Sequence, residues 1–125
     1  GSIAIGRGWH AVTDSGSIGG RLGGPYLPVL EGVGCRPQDL RRALAVARRI
    51  ERSTGGRVES VRAVTATAYQ VRVLPANEGH TIELQVAPEP TEGERYWAAR
   101  VAAGEASFEW VDLRWDDRVV LGGAG

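Results

Sequence analysis

YQVRVLPANEGHTIELQV, residues 69–86, holds two short runs of alternating character around a proline-bearing turn. Tyr69, Val71 and Val73 share one face of the first run, and Ile82, Leu84 and Val86 share one face of the second. Side chains of a strand alternate between its two faces, so a clean period of two indicates antiparallel strands with one buried and one wet side. Asn77-Glu78-Gly79 supplies the turn residues between them.

Working outward, RVESVRAV (57–64) reads as a further strand, leading through TATA into the first run. Before it lies the clearest helix, PQDLRRALAVARRIERS (37–53). Leu40, Ala43, Leu44, Ala47 and Ile50 recur at helical spacing and form one buried stripe. Pro37 suits the first turn, Asp39 complements the positive end of the helix dipole, and Gly55-Gly56 ends the helix. On the C-terminal side, APEPTEGE (87–94) reads as a loop, ERYWAARVAAGE (94–105) as a short helix, and SFEWVDLRW (107–115) and RVVL (118–121) as two closing strands. Toward the N-terminus, WHAVTDSGSI (9–18) reads as a strand and turn, and GGRLGGPYLP (19–28) as a glycine-rich connection. Gly1-Ser2 reads as a cloning scar, with residues 3–125 as one domain. The expected class is α+β: a mostly antiparallel sheet with one long and one short helix packed on it.

Composition narrows the function classes. At 125 residues, 42% apolar and 24% charged, the chain can bury a single core and is not disordered in character. No apolar run approaches the roughly 20 residues that span a bilayer. Cys35 is the only cysteine, so no internal disulfide forms, and with His10 and His80 it offers too few soft ligands for structural zinc. Every one of the fifteen basic residues is Arg. Residues 1–72 carry eleven Arg against five acids, and residues 73–125 carry four Arg against ten acids. Such opposed halves complement each other across one sheet or steer charged partners.

Catalytic patterns are missing. His10, Asp14 and Ser15 are too close on one strand and turn to converge as a triad. GSIGGRLGG (16–24) matches neither a nucleophile elbow nor a phosphate-binding loop with its lysine. Glu89, Glu92 and Glu94 read as a solvated loop without a fixed cage, and Cys35 as a buried small apolar residue. The reading is of a non-enzyme without cofactor or metal. Arg41, Arg42, Arg48, Arg49 and Arg52 lie opposite the apolar stripe, and this Arg-rich face, within 41–52, motivates the alternative of a nucleic-acid-binding module.

With these elements in order, LPVLEGVG (27–34) before the long helix and VDLRW (111–115) near the end resemble two anchors of a known family. The chain is similar to the extracytoplasmic β-domain of the bacterial cell-division protein family FtsQ, also called DivIB. That family shows a Leu-Pro-x-Leu-x-Gly segment before its helix and a Val-Asp-Leu-Arg-aromatic strand near its end. The resemblance spans residues ~9–121, by the order of elements and turns along the chain. It implies a divisome scaffold without catalytic activity, at the periplasmic or extracytoplasmic face of the inner (cell) membrane at the division septum. The parent would be anchored by an N-terminal transmembrane helix and carry a polypeptide-transport-associated (POTRA) domain, neither present in this chain. It further implies recruitment of the small single-pass proteins FtsB (DivIC) and FtsL for septum formation, with the partner adding a strand at the C-terminal edge. Carried over by matched position, the partner-binding residues are Arg114, Trp115, Asp117, Arg118, Val119 and Val120, with Arg95 at the second helix.

The residues suit that mode in their own right. A last strand after a tight turn falls at a sheet edge, where unpaired N–H and C=O groups template an added strand. Trp115 is of the type that anchors interfaces, and Arg114 presents a fork that matches a carboxylate.

Overall fold

A computed structural model describes residues 1–76, 79–103 and 109–122. The expected Asn77-Glu78-Gly79 turn thus lies largely outside the described residues, as do Gly104 and Glu105 of the second helix and Ser107 and Phe108 of the following strand. The class is α+β. Nine strands form one sheet: β1 (Ser2–Ile5), β2 (Gly8–Val12), β3 (Ile18–Leu22), β4 (Val29–Glu31), β5 (Arg57–Thr65), β6 (Ala68–Leu74), β7 (Ile82–Val86), β8 (Trp110–Asp112) and β9 (Val120–Gly122). Helices α1 (Pro37–Thr54) and α2 (Glu92–Ala102) complete the chain. The strand order is β3-β2-β1-β4-β5-β6-β7-β8-β9, which leaves β3 and β9 at the two edges.

Antiparallel pairing holds for β1–β2, β2–β3, β5–β6, β6–β7 and β8–β9. The remaining neighbours are parallel: β1–β4, β4–β5 and β7–β8. A parallel pair needs a crossover connection, and here α1 joins β4 to β5 while α2 joins β7 to β8. Each helix is therefore laid over the sheet by the connection it serves. In the 69–86 segment Tyr69, Val71, Val73, Ile82, Leu84 and Val86 are all buried, and the register pairs Val71 with Leu84 and Val73 with Ile82.

The stripe of α1 is buried as expected, from Leu40 at 0% exposed to Ile50 at 0%. Val46 is buried too, because α1 packs against α2 as well as against β5 and β6. Gly55, at φ +65°, takes the left-handed conformation that closes the helix, and its N–H donates to the Glu51 carbonyl. The other face of the sheet is polar. One row there runs Glu31, Arg62, Gln70, Gln85 and Asp112 from β4 to β8, and Arg72 pairs across with Glu83. Basic and acidic halves of the chain meet on this face.

Several boundaries differ from the sequence reading. The sheet begins at Ser2, not near Trp9: Ser2 is fully buried, and its hydroxyl bonds the Tyr26 backbone in both directions. Ser2 thus belongs to the sheet, and Gly1 beside it accepts a hydrogen bond from the Val12 N–H. Within the expected glycine-rich connection, residues up to Leu22 form edge strand β3. The second helix starts at Glu92, two residues before the expected start, because Thr91 caps it. Among the described residues the closing strands pair over Trp110–Asp112 and Val120–Gly122, so the first ends before Trp115 and the second begins after Arg118. Cys35 is exposed rather than buried.

Candidate functional site

β9 closes the strand order, so among the described residues one side of its backbone faces no neighbouring strand. Val120 and Leu121 on it are 39% and 44% exposed. Beside this edge runs a groove of about 550 Å³, walled by α2 through Tyr96, Trp97 and Arg100 and by the 116–119 turn and Leu121. Val111 and Leu113, fully buried, anchor the segment that feeds the edge. Period-two reading puts Trp115 on the same side as these two, yet it is 37% exposed. The strand stops at Asp112, and past Leu113 the chain turns onto the end of α2, so the alternation no longer applies.

That turn is pinned. Thr91 Oγ1 donates to the Leu113 carbonyl and accepts from the Glu94 N–H at 3.1 Å. The Gly93 N–H donates to the Trp115 carbonyl at 3.2 Å, and the Glu92 N–H donates to Asp116 Oδ1 at 3.0 Å. The first N–H groups of a helix have no intrahelical acceptor and sit at its positive end, so a carboxylate and carbonyls satisfy them well. The close approach needs glycine: a Cβ on Gly93 would stand 2.6 Å from the Trp115 carbonyl oxygen and 2.8 Å from that of Arg118. Thr91-x-x-Glu94 has the spacing of a capping box, and that was the sequence signal for this start.

Behind the groove Arg49 ties α1 to α2. Its Nε and Nη2 donate to the two carboxylate oxygens of Glu94 at 2.9 and 2.8 Å, while Nη1 and Nη2 reach the carbonyls of Pro88 and Ala87. Glu94, expected in a solvated loop, is only 4% exposed. A guanidinium with this many acceptors is a structural brace. It removes Arg49 from the basic face of α1, and Arg48 is paired with Asp14. Arg41, Arg42 and Arg52 remain exposed.

The matched partner residues cluster around the edge. Arg114 donates from Nε and Nη2 to both oxygens of Asp112, at 2.9 and 2.8 Å. These bonds hold the Asp112 carboxyl below its ordinary range, and the carboxylate in turn raises Arg114. The fork is thus taken at the surface by a carboxylate two residues earlier in the chain. Two guanidinia approach the Trp115 ring, with Cζ of Arg114 at 5.3 Å and of Arg118 at 4.6 Å from its centre. Such stacks fix a ring at the surface. Asp117 and Arg118 are exposed on the groove wall, Val119 is half-buried against the core, and Val120 lies on β9 itself. Arg95, one turn into α2, pairs with Glu92. Six of the seven fall within residues 114–120, and Arg95 stands on the helix that borders them.

No protein-family model matches the chain, and no curated protein matches it. Among the described residues no group of His, Cys, Asp and Glu is placed to hold a metal ion, and no helix is long and apolar enough to cross a membrane.

Proposed function

We propose that this domain is a non-enzymatic docking scaffold of the bacterial cell-division machinery, at the extracytoplasmic face of the cell membrane. It recruits FtsB/DivIC-type and FtsL-type single-pass proteins by accepting a strand along β9. The observation that carries the reading is the open β9 edge, bearing exposed Val120 and Leu121, beside a groove lined by Trp97, Tyr96 and Val119. An added strand gains main-chain hydrogen bonds along such an edge, and its side chains find apolar area in the groove. The likeness of 27–34 and 111–115 to the two FtsQ/DivIB anchors supplies the class of partner.

Proline tests the edge directly. Successive residues of a strand aim their N–H groups to opposite sides, so of Val120→Pro and Leu121→Pro one removes an outward donor and the other a donor to β8. The expected result is that the variant retaining parental unfolding stability loses at least tenfold in affinity for the extracytoplasmic segment of the cognate FtsB/DivIC-type protein, read by calorimetry. Undiminished binding by both variants, each folded, refutes docking by strand addition.

A further inference from the structure

The sheet face that carries the core continues past the reach of α1 onto the first three strands. Register places Ile3 opposite His10 and His10 opposite Arg21, so these three share the side of the sheet on which Ile3 and Val12 are buried. Ile5 and Gly8, directly paired, belong to the same side. There the apolar lining gives way to Arg7, His10 and Arg21 around an open cavity of about 310 Å³, with exposed Ile5 at its rim.

What sets this cluster apart from scattered surface charge is that two guanidinia line one cavity. No carboxylate among the described residues pairs with Arg7 or Arg21, which is also true of Arg41, Arg42 and Arg52 on α1, so the juxtaposition and not the lack of a partner distinguishes them. The acid nearest in sequence, Asp14, sits at the opposite end of the β2–β3 hairpin and is taken by Arg48. The Arg21 guanidinium also lies across Gly8, where a Cβ would stand only 2.8 Å from its Nε, so a side chain there would push the guanidinium aside. His10 is oriented as well, with Nδ1 3.3 Å from the Gly19 carbonyl.

We propose that Arg7, His10 and Arg21 form a binding site for an anionic phosphate group. Two unpaired guanidinia on one cavity present more donors than a single carboxylate uses, and guanidinium forks match phosphate oxygens in pairs. The phosphate comes from a lipid headgroup or from a soluble phosphate ester; Ile5 at the rim is placed to touch whatever apolar group follows it.

The test uses the intact domain and two probes: inorganic phosphate, followed by amide chemical shifts, and co-sedimentation with vesicles of phosphatidylglycerol against vesicles of phosphatidylcholine. Gly8→Ala displaces the Arg21 guanidinium without changing net charge, and Arg7→Gln/Arg21→Gln removes the two forks. Arg41→Gln/Arg42→Gln, on the exposed face of α1, is the charge-matched control. Expected are saturable shifts confined to residues 5–10 and 19–22, at least fivefold weaker binding in Gly8→Ala and in the Arg7/Arg21 pair, and no change in the control. Retention on phosphatidylglycerol vesicles that follows the same ranking assigns the phosphate to a headgroup; the shifts without it assign a soluble ester. Equal losses in the control, undiminished binding in Gly8→Ala, or no saturable response to either probe overturns the site.

Discussion

Replacing Arg49 by methionine keeps most of the buried stem but removes every donor of the guanidinium. Glu94, 5% exposed in its side chain, is then left without its cation, and the carbonyls of Ala87 and Pro88 lose theirs. Breaking a buried ion pair from one side costs about 3–5 kcal/mol, because the remaining charge stays desolvated. For a domain of this length that lowers the midpoint of thermal unfolding by on the order of 10–20 °C. The double change Arg49→Met/Glu94→Leu removes both charges and is expected to recover most of the loss, leaving the two carbonyls at about 1–3 kcal/mol. Urea unfolding followed by tryptophan fluorescence measures the parent, Arg49→Met, Glu94→Leu and the double change, and the double-mutant cycle isolates the pair. A single change that costs less than about 1 kcal/mol, or a double change as damaging as the sum of the singles, refutes the view that this pair braces α2 against α1.

Two further changes probe the edge from its supports. Gly93→Ala places a methyl group against the carbonyls of Trp115 and Arg118, both backbone, and is expected to destabilise by about 1–3 kcal/mol in urea unfolding, through overpacking. It is also expected to shift the emission of Trp115, whose carbonyl is pushed away. The hydrogen bonds from Arg114 hold the Asp112 carboxyl below the ordinary aspartate range in the folded protein. A depressed carboxyl contributes stability above its unfolded pKa, and that contribution is lost as pH falls through the folded pKa. The acid side of the stability profile, below about pH 5, is therefore expected to flatten in Arg114→Gln, as read from urea midpoints between pH 2 and 7; an unchanged slope counts against the pairing.

The elements that declared themselves in the sequence are those whose burial is one-sided and regular. β6 and β7 lie in the middle of the sheet with one wet face, so their period survives intact, and α1 shows its stripe for the same reason. β1 and β3 gave no such signal. Ser2–Ile5 offers a single buried isoleucine, and Ile18–Leu22 is an edge with two glycines and four exposed residues, held by backbone bonds that side chains do not report. The parallel neighbours follow from where the helices fall in chain order and not from any strand's own pattern. At the candidate site, the types of residue and their order along 114–120 were readable. So was the pairing of Arg114 with Asp112, only two residues away in the chain. The burial of Glu94 was not, since it depends on Arg49, a partner brought in by the fold. Thr91 and Glu94 did carry a legible spacing, but the surrounding prolines and glycine read more strongly as loop.

The strand order also sets a distance. Edges β3 and β9 stand eight strand spacings apart, roughly 38 Å along the curved surface of the sheet at ~4.8 Å per strand. A molecule seated on one edge cannot touch one seated on the other unless it is itself that long. The sheet thus acts as a spacer with two independent ends, and a probe attached near Gly20 reports on its own end while leaving access to Leu121 undisturbed.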